Sequence, residues 1–135
     1  MCPGRGGGLF SYFWFMIRII MIDDHTIIGT GLKNSFQPSR DGIQIMKLYE
    51  NVDKAIKGSR PSGFDMIILD LWIGKADPEE NVRKLKDRFP GKPILVFTGE
   101  EDPEWKRKMM QAGVNGYISK MSMIEEIKRA ILSLF

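Results

Sequence analysis

Two apolar segments that each end in aspartate constrain the fold of this chain more than any other feature. Ile17–Ile22 runs directly into Asp23 and Asp24, and Phe64–Leu69 runs directly into Asp70. Nearly continuous apolar runs of this length predict strands of a parallel sheet that is covered by helices on both faces. Ligands of such sheets bind beyond the carboxyl ends of the strands. If the two strands are neighbours, the three carboxylates converge, which predicts a hard divalent cation such as Mg²⁺ among them.

Two later strands are predicted to add a hydroxyl and an ammonium group to the same edge of the sheet. Lys92–Phe97 is followed by Thr98, and Gly116–Ser119 is followed by Lys120. A metal ion and an ammonium group can neutralise phosphoryl oxygens, a hydroxyl can donate a hydrogen bond to them, and a carboxylate can attack phosphorus. The pattern therefore predicts a phosphoryl-transfer site with Asp70 as the nucleophile.

In this order the residues resemble the receiver domain of two-component response regulators, over roughly residues 16 to 135. The matching positions are Asp23, Asp24, Asp70, Thr98, and Tyr117 three residues before Lys120. The resemblance, together with the strand–helix alternation of the chain, implies an α/β fold: a flavodoxin-like (βα)5 doubly wound parallel sheet with strand order 2-1-3-4-5. It also implies that a sensor histidine kinase donates the phosphoryl group.

The resemblance assigns a role to each matching residue. Asp70 is expected to be the phosphoacceptor, assisted in catalysis by Thr98 and Lys120. The expected metal ligands are Asp24 directly, Asp23 through water, Asp70, and the backbone carbonyl of Trp72. The domain would catalyse its own phosphorylation and dephosphorylation, and would act as a signalling switch rather than a metabolic enzyme.

Thr98 and Tyr117 are the expected switch residues. After phosphorylation Thr98 would gain a hydrogen-bond acceptor, and Tyr117 would swing inward as the neighbouring loop moves. That motion would reshape the surface formed by the fourth helix, the fifth strand and the fifth helix, and so control an output. A plain packing role for the Tyr117 ring is the alternative.

Four residues of the expected site differ from the common receiver pattern or need separate interpretation. Gly74 stands where receivers usually carry proline, which predicts a more mobile loop. Trp72 is large and lies two residues after Asp70, so it is expected to shield the acyl phosphate from water; Glu100 is expected to influence that water too. His25 is interpreted as structural, since receivers linked to helix-turn-helix DNA-binding domains often carry histidine there.

Start and stop signals predict where the helices lie. Helical spacing of apolar residues covers His25–Gln37, and Asn51, Asp77 and Asp102 are predicted N-caps of the next three helices. The predicted last helix begins with a capping box in which Ser122 is the N-cap.

Composition narrows the classes of function. The 135 residues fit one domain, and the net charge of +3 comes without a clustered basic face, so this chain alone is not expected to bind nucleic acid. DNA binding, and with it transcription regulation, would require an output domain that this chain does not include. The single cysteine, Cys2, fits a cytoplasmic location, and no membrane association is expected. A homodimer through the last helix or the fourth-helix face is expected to use Met110, Met123 and Phe135.

Residues 1–15 are set apart from the domain that follows. Their first half is rich in glycine and their second half is strongly aromatic. Three explanations stay open: a targeting peptide, a disordered or artefactual leader, and a real extension that packs its aromatic side chains on the domain. The expected division is therefore a leader over residues 1–15 and a receiver domain over residues 16–135.

Two other functions fit the same sequence pattern less well. An aspartyl-phosphate hydrolase needs a second acid two residues after the nucleophile, where Trp72 stands. A flavin or dinucleotide binder needs a phosphate-cradling loop after the first strand, where the acids would repel a phosphate. The remaining alternative is a receiver fold that docks partners without being phosphorylated.

Overall fold

Five parallel strands form the central sheet of the computed structural model, which describes residues 16–135. They are β1 (Ile17–Ile22), β2 (Ile43–Tyr49), β3 (Met66–Leu69), β4 (Ile94–Thr98) and β5 (Gly116–Ser119). Their spatial order is β2-β1-β3-β4-β5, with every neighbouring pair parallel. The predicted flavodoxin-like, doubly wound α/β fold is confirmed. β3 and β4 each begin two residues later than the sequence pattern indicated.

Five helices connect or follow the strands. They are α1 (Thr26–Ser35), α2 (Val52–Gly58), α3 (Pro78–Arg88), α4 (Pro103–Ala112) and α5 (Ile124–Leu132). α1 ends two residues before the predicted limit of Gln37, and a short helix of four residues, Pro38–Asp41, follows it. Proline can occupy the first position of this helix because it lacks the N–H that has no partner there.

The helices divide between the two faces of the sheet and give the protein two apolar cores. On one face, α1 and α5 cover the sheet through side chains that include Leu32, Phe36 and Ile131. On the other face lie α2, α3 and α4, which bury Val82 and Met109 among others. Because both faces are covered, the central strands β1 and β3 are almost wholly apolar, as the sequence indicated.

Side-chain caps start three of the helices at the predicted residues. The side chains of Asn51, Asp77 and Asp102 each accept a backbone N–H from the first turn of their helix. The capping box predicted for α5 is wrong by one residue. Met123, not Ser122, precedes the helix, and its N–H donates to the carboxylate of Glu126 at 3.1 Å.

The proposed leader over residues 1–15 lies outside the described residues. Within residues 16–135, no helix is both long and apolar enough to cross a bilayer.

Candidate functional site

The carboxyl ends of β1 and β3 bring two of the predicted acids together. These strands pair directly, with Ile22 opposite Leu69, so the residues that follow them are neighbours. Asp23 and Asp70 are buried at 6% and 3% exposure, whereas Asp24 is exposed. Two buried carboxylates need a positive charge nearby, because burial of an unpaired charge costs free energy.

Lys120 provides part of that compensation from the end of β5. Its Nζ lies 2.9 Å from Asp23 Oδ2 and 3.3 Å from Asp70 Oδ2. Neither contact has hydrogen-bond geometry, and neither carboxylate oxygen has another hydrogen-bond partner among residues 16–135. The predicted convergence of these side chains is therefore present, with two buried oxygens left available to a ligand.

The electrostatics of the site single out Asp70. Burial, and after it the Asp23 carboxylate, raises the pKa of Asp70 to about 6, although Lys120 acts in the opposite direction. The raised value means that the second negative charge is poorly balanced by one ammonium group. A site of this kind favours a ligand that brings further positive charge.

His25, which was interpreted from the sequence as a structural residue, contacts the three acids of the site. Its Nδ1 lies 3.0 Å from Asp23 Oδ1, 3.2 Å from Asp24 Oδ1 and 3.6 Å from Asp70 Oδ2. The direct succession of the acid pair and His25 was the only sequence signal for this contact. It did not reveal the direction of the ring, which depends on the start of α1.

The residues after Asp70 form a loop that contacts Asp24 after β1 and Glu100 after β4. The Gly74 N–H donates to Asp24 Oδ2 at 3.1 Å, and Gly74 adopts φ +55°. The Trp72 indole N–H donates to Glu100 Oε1 at 3.0 Å. The Trp72 ring also meets the edge of Trp105 on α4, with 4.7 Å between ring centroids. The contact with Trp105 had no signal in the sequence.

The two predicted switch residues lie on β4 and β5. The Thr98 side chain is buried, and its Oγ1 accepts the Glu100 N–H at 3.1 Å. The Tyr117 hydroxyl is buried without a hydrogen-bond partner in the described part of the chain. Burial raises the pKa of the Tyr117 phenol, and the nearby acids Glu100 and Asp102 add to the effect.

The donor set fits the predicted divalent cation. Asp23, Asp24, His25 and Asp70 each offer an atom, and these atoms lie within 4.8 Å of one another. The two buried carboxylate oxygens that lack a hydrogen-bond partner within residues 16–135 are the kind of ligand that Mg²⁺ accepts. The fit rests on these orphaned oxygens and not on the number of acids alone.

Comparison with known proteins identifies the family. The family model described as the response regulator receiver domain matches residues 19–132. The chain belongs to the response regulator receiver domain family. Within the receiver, Asp23, Asp70 and Lys120 follow the three strands whose ends meet at the site.

A curated relative agrees with this assignment. The response regulator GacA of Pseudomonas viridiflava is 30% identical over 121 residues, which are 89% of this chain and 56% of that protein. The chain thus spans about half the length of this curated relative.

Solved structures agree as well. A LuxR-family two-component response regulator from Aurantimonas sp. SI85-9A1 has 25% identity and a TM-score of 0.78, over 88% of this chain and 84% of that one. RcsB from Salmonella enterica serovar Typhimurium was solved bound to promoter rprA in the presence of the phosphomimetic BeF3-. It has 20% identity and a TM-score of 0.74, over 87% of this chain and 98% of that one, and shows the shared fold.

Proposed function

We propose that this receiver accepts a phosphoryl group on Asp70 from the phosphohistidine of a sensor kinase. The observation that carries the proposal is the convergence of Asp70, Asp23 and Lys120 at the carboxyl edge of the sheet. A carboxylate that is buried beside a second carboxylate and an ammonium group is arranged for attack on a phosphoryl group with charge neutralisation close by.

The transfer requires one bond to form and one to break. A carboxylate oxygen of Asp70 attacks phosphorus, the phosphorus–nitrogen bond to the donor imidazole breaks, and the imidazole leaves with a proton. Lys120, which is 13% exposed at its side chain, stays within reach of the new phosphoryl oxygens. The Thr98 hydroxyl accepts the Glu100 N–H, so its own proton remains for a phosphoryl oxygen.

The proposed metal ion is Mg²⁺, held by Asp23, Asp24, Asp70 and the backbone carbonyl of Trp72. When bound, it would supply positive charge to the carboxylates and to the phosphoryl oxygens. The orphaned oxygens of Asp23 and Asp70 support this ligand set. Hydrolysis of the acyl phosphate by water would return the domain to its resting state.

The proposed output is a change in the surface of α4, β5 and α5. The Tyr117 hydroxyl, which has no hydrogen-bond partner within residues 16–135, supports it, because a second position of the ring that gives this hydroxyl a partner would recover the cost of burying it. Exposed apolar side chains at Met110, Met123 and Phe135 offer contacts for a homodimer. Control of transcription would act through a further domain, and the GacA relative, about twice as long as the matched region, supports that arrangement.

The test is phosphorylation by a small donor. The protein is mixed with Mg²⁺ and acetyl phosphate or phosphoramidate, and its intact mass is measured. One added phosphoryl group is expected for the parent and for Asp53→Asn, which removes an exposed carboxylate away from the site. No adduct is expected for Asp70→Asn or in the presence of EDTA.

Two results would contradict the proposal. An adduct that persists in Asp70→Asn would move the acceptor to another residue. If the parent acquires no adduct from either donor in Mg²⁺, the domain is a docking module that works without phosphorylation.

A further inference from the structure

The imidazole of His25 places its Nδ1 against the acids, although the side chain as a whole is 61% exposed. His25 precedes α1 but makes no side-chain cap to that helix. Its backbone N–H already donates to Asp23 Oδ1 at 2.8 Å, so the loop is held without the ring. The ring Nδ1 nevertheless lies among the carboxylates of Asp23, Asp24 and Asp70.

The spacing of these atoms resembles the edges of a metal coordination shell. Ligands of an octahedral ion with bonds of about 2.1 Å lie about 3.0 Å apart when adjacent and about 4.2 Å apart when opposite. The Nδ1 of His25 lies 3.2 Å from Asp24 Oδ1 and shares a 3.0 Å hydrogen bond with Asp23 Oδ1, so a metal ion bound at Nδ1 would take the place of that hydrogen bond. The four donor atoms all fall within 4.8 Å of one another, so a bound ion would draw the widest pair slightly together. The buried Asp70 Oδ2 has the Lys120 ammonium at 3.3 Å but no hydrogen-bond partner within the described residues.

We propose that His25 Nδ1 is an additional ligand when this site binds a first-row transition ion such as Zn²⁺, so that the site then has one nitrogen ligand beside its carboxylate oxygens. The inference rests on the metal site of the proposed function and extends its ligand set. Carboxylate oxygen and water suit Mg²⁺, whereas an imidazole nitrogen suits first-row transition ions such as Zn²⁺. The site therefore accepts a transition ion through His25, and takes up Mg²⁺ through its carboxylates without needing the ring.

A single imidazole makes the ligand directly observable. His25 is the only histidine in the chain, so ¹⁵N-labelled histidine reports on this ring alone. The experiment uses a Cys2→Ser background, because the single thiol would otherwise compete for Zn²⁺. Saturating Zn²⁺ is expected to shift the Nδ1 resonance much more than the Nε2 resonance, and saturating Mg²⁺ is expected to leave Nδ1 close to its metal-free position.

Affinity gives a second, independent measurement. By calorimetry, His25→Asn is expected to weaken Zn²⁺ binding by at least about tenfold, since it removes one ligand nitrogen. The same variant should change Mg²⁺ affinity by less than about twofold. Asp53→Asn, with its exposed carboxylate away from the site, should bind both ions as the parent does.

The outcomes separate this inference from the proposed function. A Nδ1 resonance that Zn²⁺ does not move, with equal Zn²⁺ affinity in the parent and His25→Asn, overturns the role of His25. Phosphorylation of Asp70 in Mg²⁺ would stand in that case, because the mass measurement does not depend on the ring. A Nδ1 resonance that moves with Zn²⁺ supports the ligand role even if Asp70 acquires no phosphoryl group, a result that would overturn only the proposed function.

Discussion

The indole N–H of Trp72 donates to the carboxylate of Glu100 at 3.0 Å and so joins the loop after β3 to the loop after β4. The Trp72 ring meets the edge of Trp105, and the Lys108 ammonium lies 4.5 Å from the centre of the Trp105 ring. The acceptor loop is therefore connected to the loop after β4 by a hydrogen bond and to α4 by an aromatic contact.

Removal of the Trp72 ring should shorten the life of the phosphorylated state. Trp72 is two residues after the acceptor, and its ring is held by Glu100 and Trp105, so we expect it to limit the approach of water to the acyl phosphate. Trp72→Asn is expected to lose the phosphoryl group about three to ten times faster than the parent, a change of about 1 kcal/mol in the barrier. Loss of the adduct mass over time after removal of the donor measures the rate.

Trp72→Phe is the matched control, because it keeps an aromatic ring and loses the hydrogen bond to Glu100. Its phosphorylated state should last about as long as that of the parent. If Trp72→Asn loses the phosphoryl group at the parent rate, the ring does not shield the acyl phosphate.

Asp70→Asn should stabilise the metal-free protein at neutral pH. Burial and the nearby Asp23 raise the pKa of Asp70 to about 6, whereas an aspartate in an unfolded chain has a pKa of about 3.9. Because the pKa of this acid is raised by folding, its charged form lowers the stability of the folded state. This destabilisation is complete above about pH 6, where folded Asp70 is charged, and is absent below about pH 4, where it is protonated in both states. The variant should gain about 1 to 3 kcal/mol in free energy of unfolding at pH 7, and the gain should vanish as the pH falls to about 4.

Urea unfolding in EDTA at several pH values measures this gain. Asp53→Asn, which alters an exposed carboxylate, should unfold like the parent throughout. An Asp70→Asn protein that is less stable than the parent at pH 7 would show that Lys120 fully balances both buried acids.

Asp65→Asn should have the opposite effect on stability. The Asp65 carboxylate accepts the Arg18 backbone N–H at 2.8 Å and two guanidinium N–H groups, and so ties the start of β1 to the segment before β3. Burial raises the pKa of Asp65, but the hydrogen bonds from Arg18 outweigh it and hold the pKa below its usual range. The variant should lose about 1 to 2 kcal/mol at pH 7.

The pH dependence of this loss has a defined sign. A lowered pKa stabilises the fold above the unfolded value of about 3.9, and that contribution disappears as the pH falls further. The difference between the parent and Asp65→Asn should therefore shrink below about pH 4. Asp87→Asn, whose partner Arg83 is exposed with it, should show little difference at any pH. A constant difference down to pH 3 would assign the loss to packing instead of charge.

Gly74→Pro, which introduces the proline that many receivers carry at this position, should be destabilising here. Gly74 has φ +55°, whereas proline requires φ near −65°, and the substitution also removes the N–H that donates to Asp24. We expect a loss of about 2 to 4 kcal/mol in urea unfolding. Gly74→Ala isolates the backbone strain, since within the described residues no atom beyond the two chain neighbours of Gly74 lies within 4 Å of the added Cβ, and it should cost about 1 to 2 kcal/mol. Equal stability of Gly74→Pro and the parent would mean that the loop readily adopts another conformation.

Local sequence determined most of the fold and the positions of the charged groups. Apolar runs such as Ile17–Ile22 must be buried on both sides, and caps such as Asp77 and Asp102 start helices through contacts with their immediate neighbours. Because parallel strands present their carboxyl ends at one edge, the convergence of Asp23 and Asp70 could be predicted once their strands were recognised.

Only the tertiary structure decided the features that depend on contacts between distant segments. The ring of His25 turns toward Asp70, the Gly74 N–H reaches Asp24, and Trp72 packs on Trp105. Side-chain direction and loop conformation at these positions follow from which segments the sheet brings together. A residue's neighbours in sequence set its propensity for helix or strand, whereas its neighbours in space set the rotamer and the partner that it adopts.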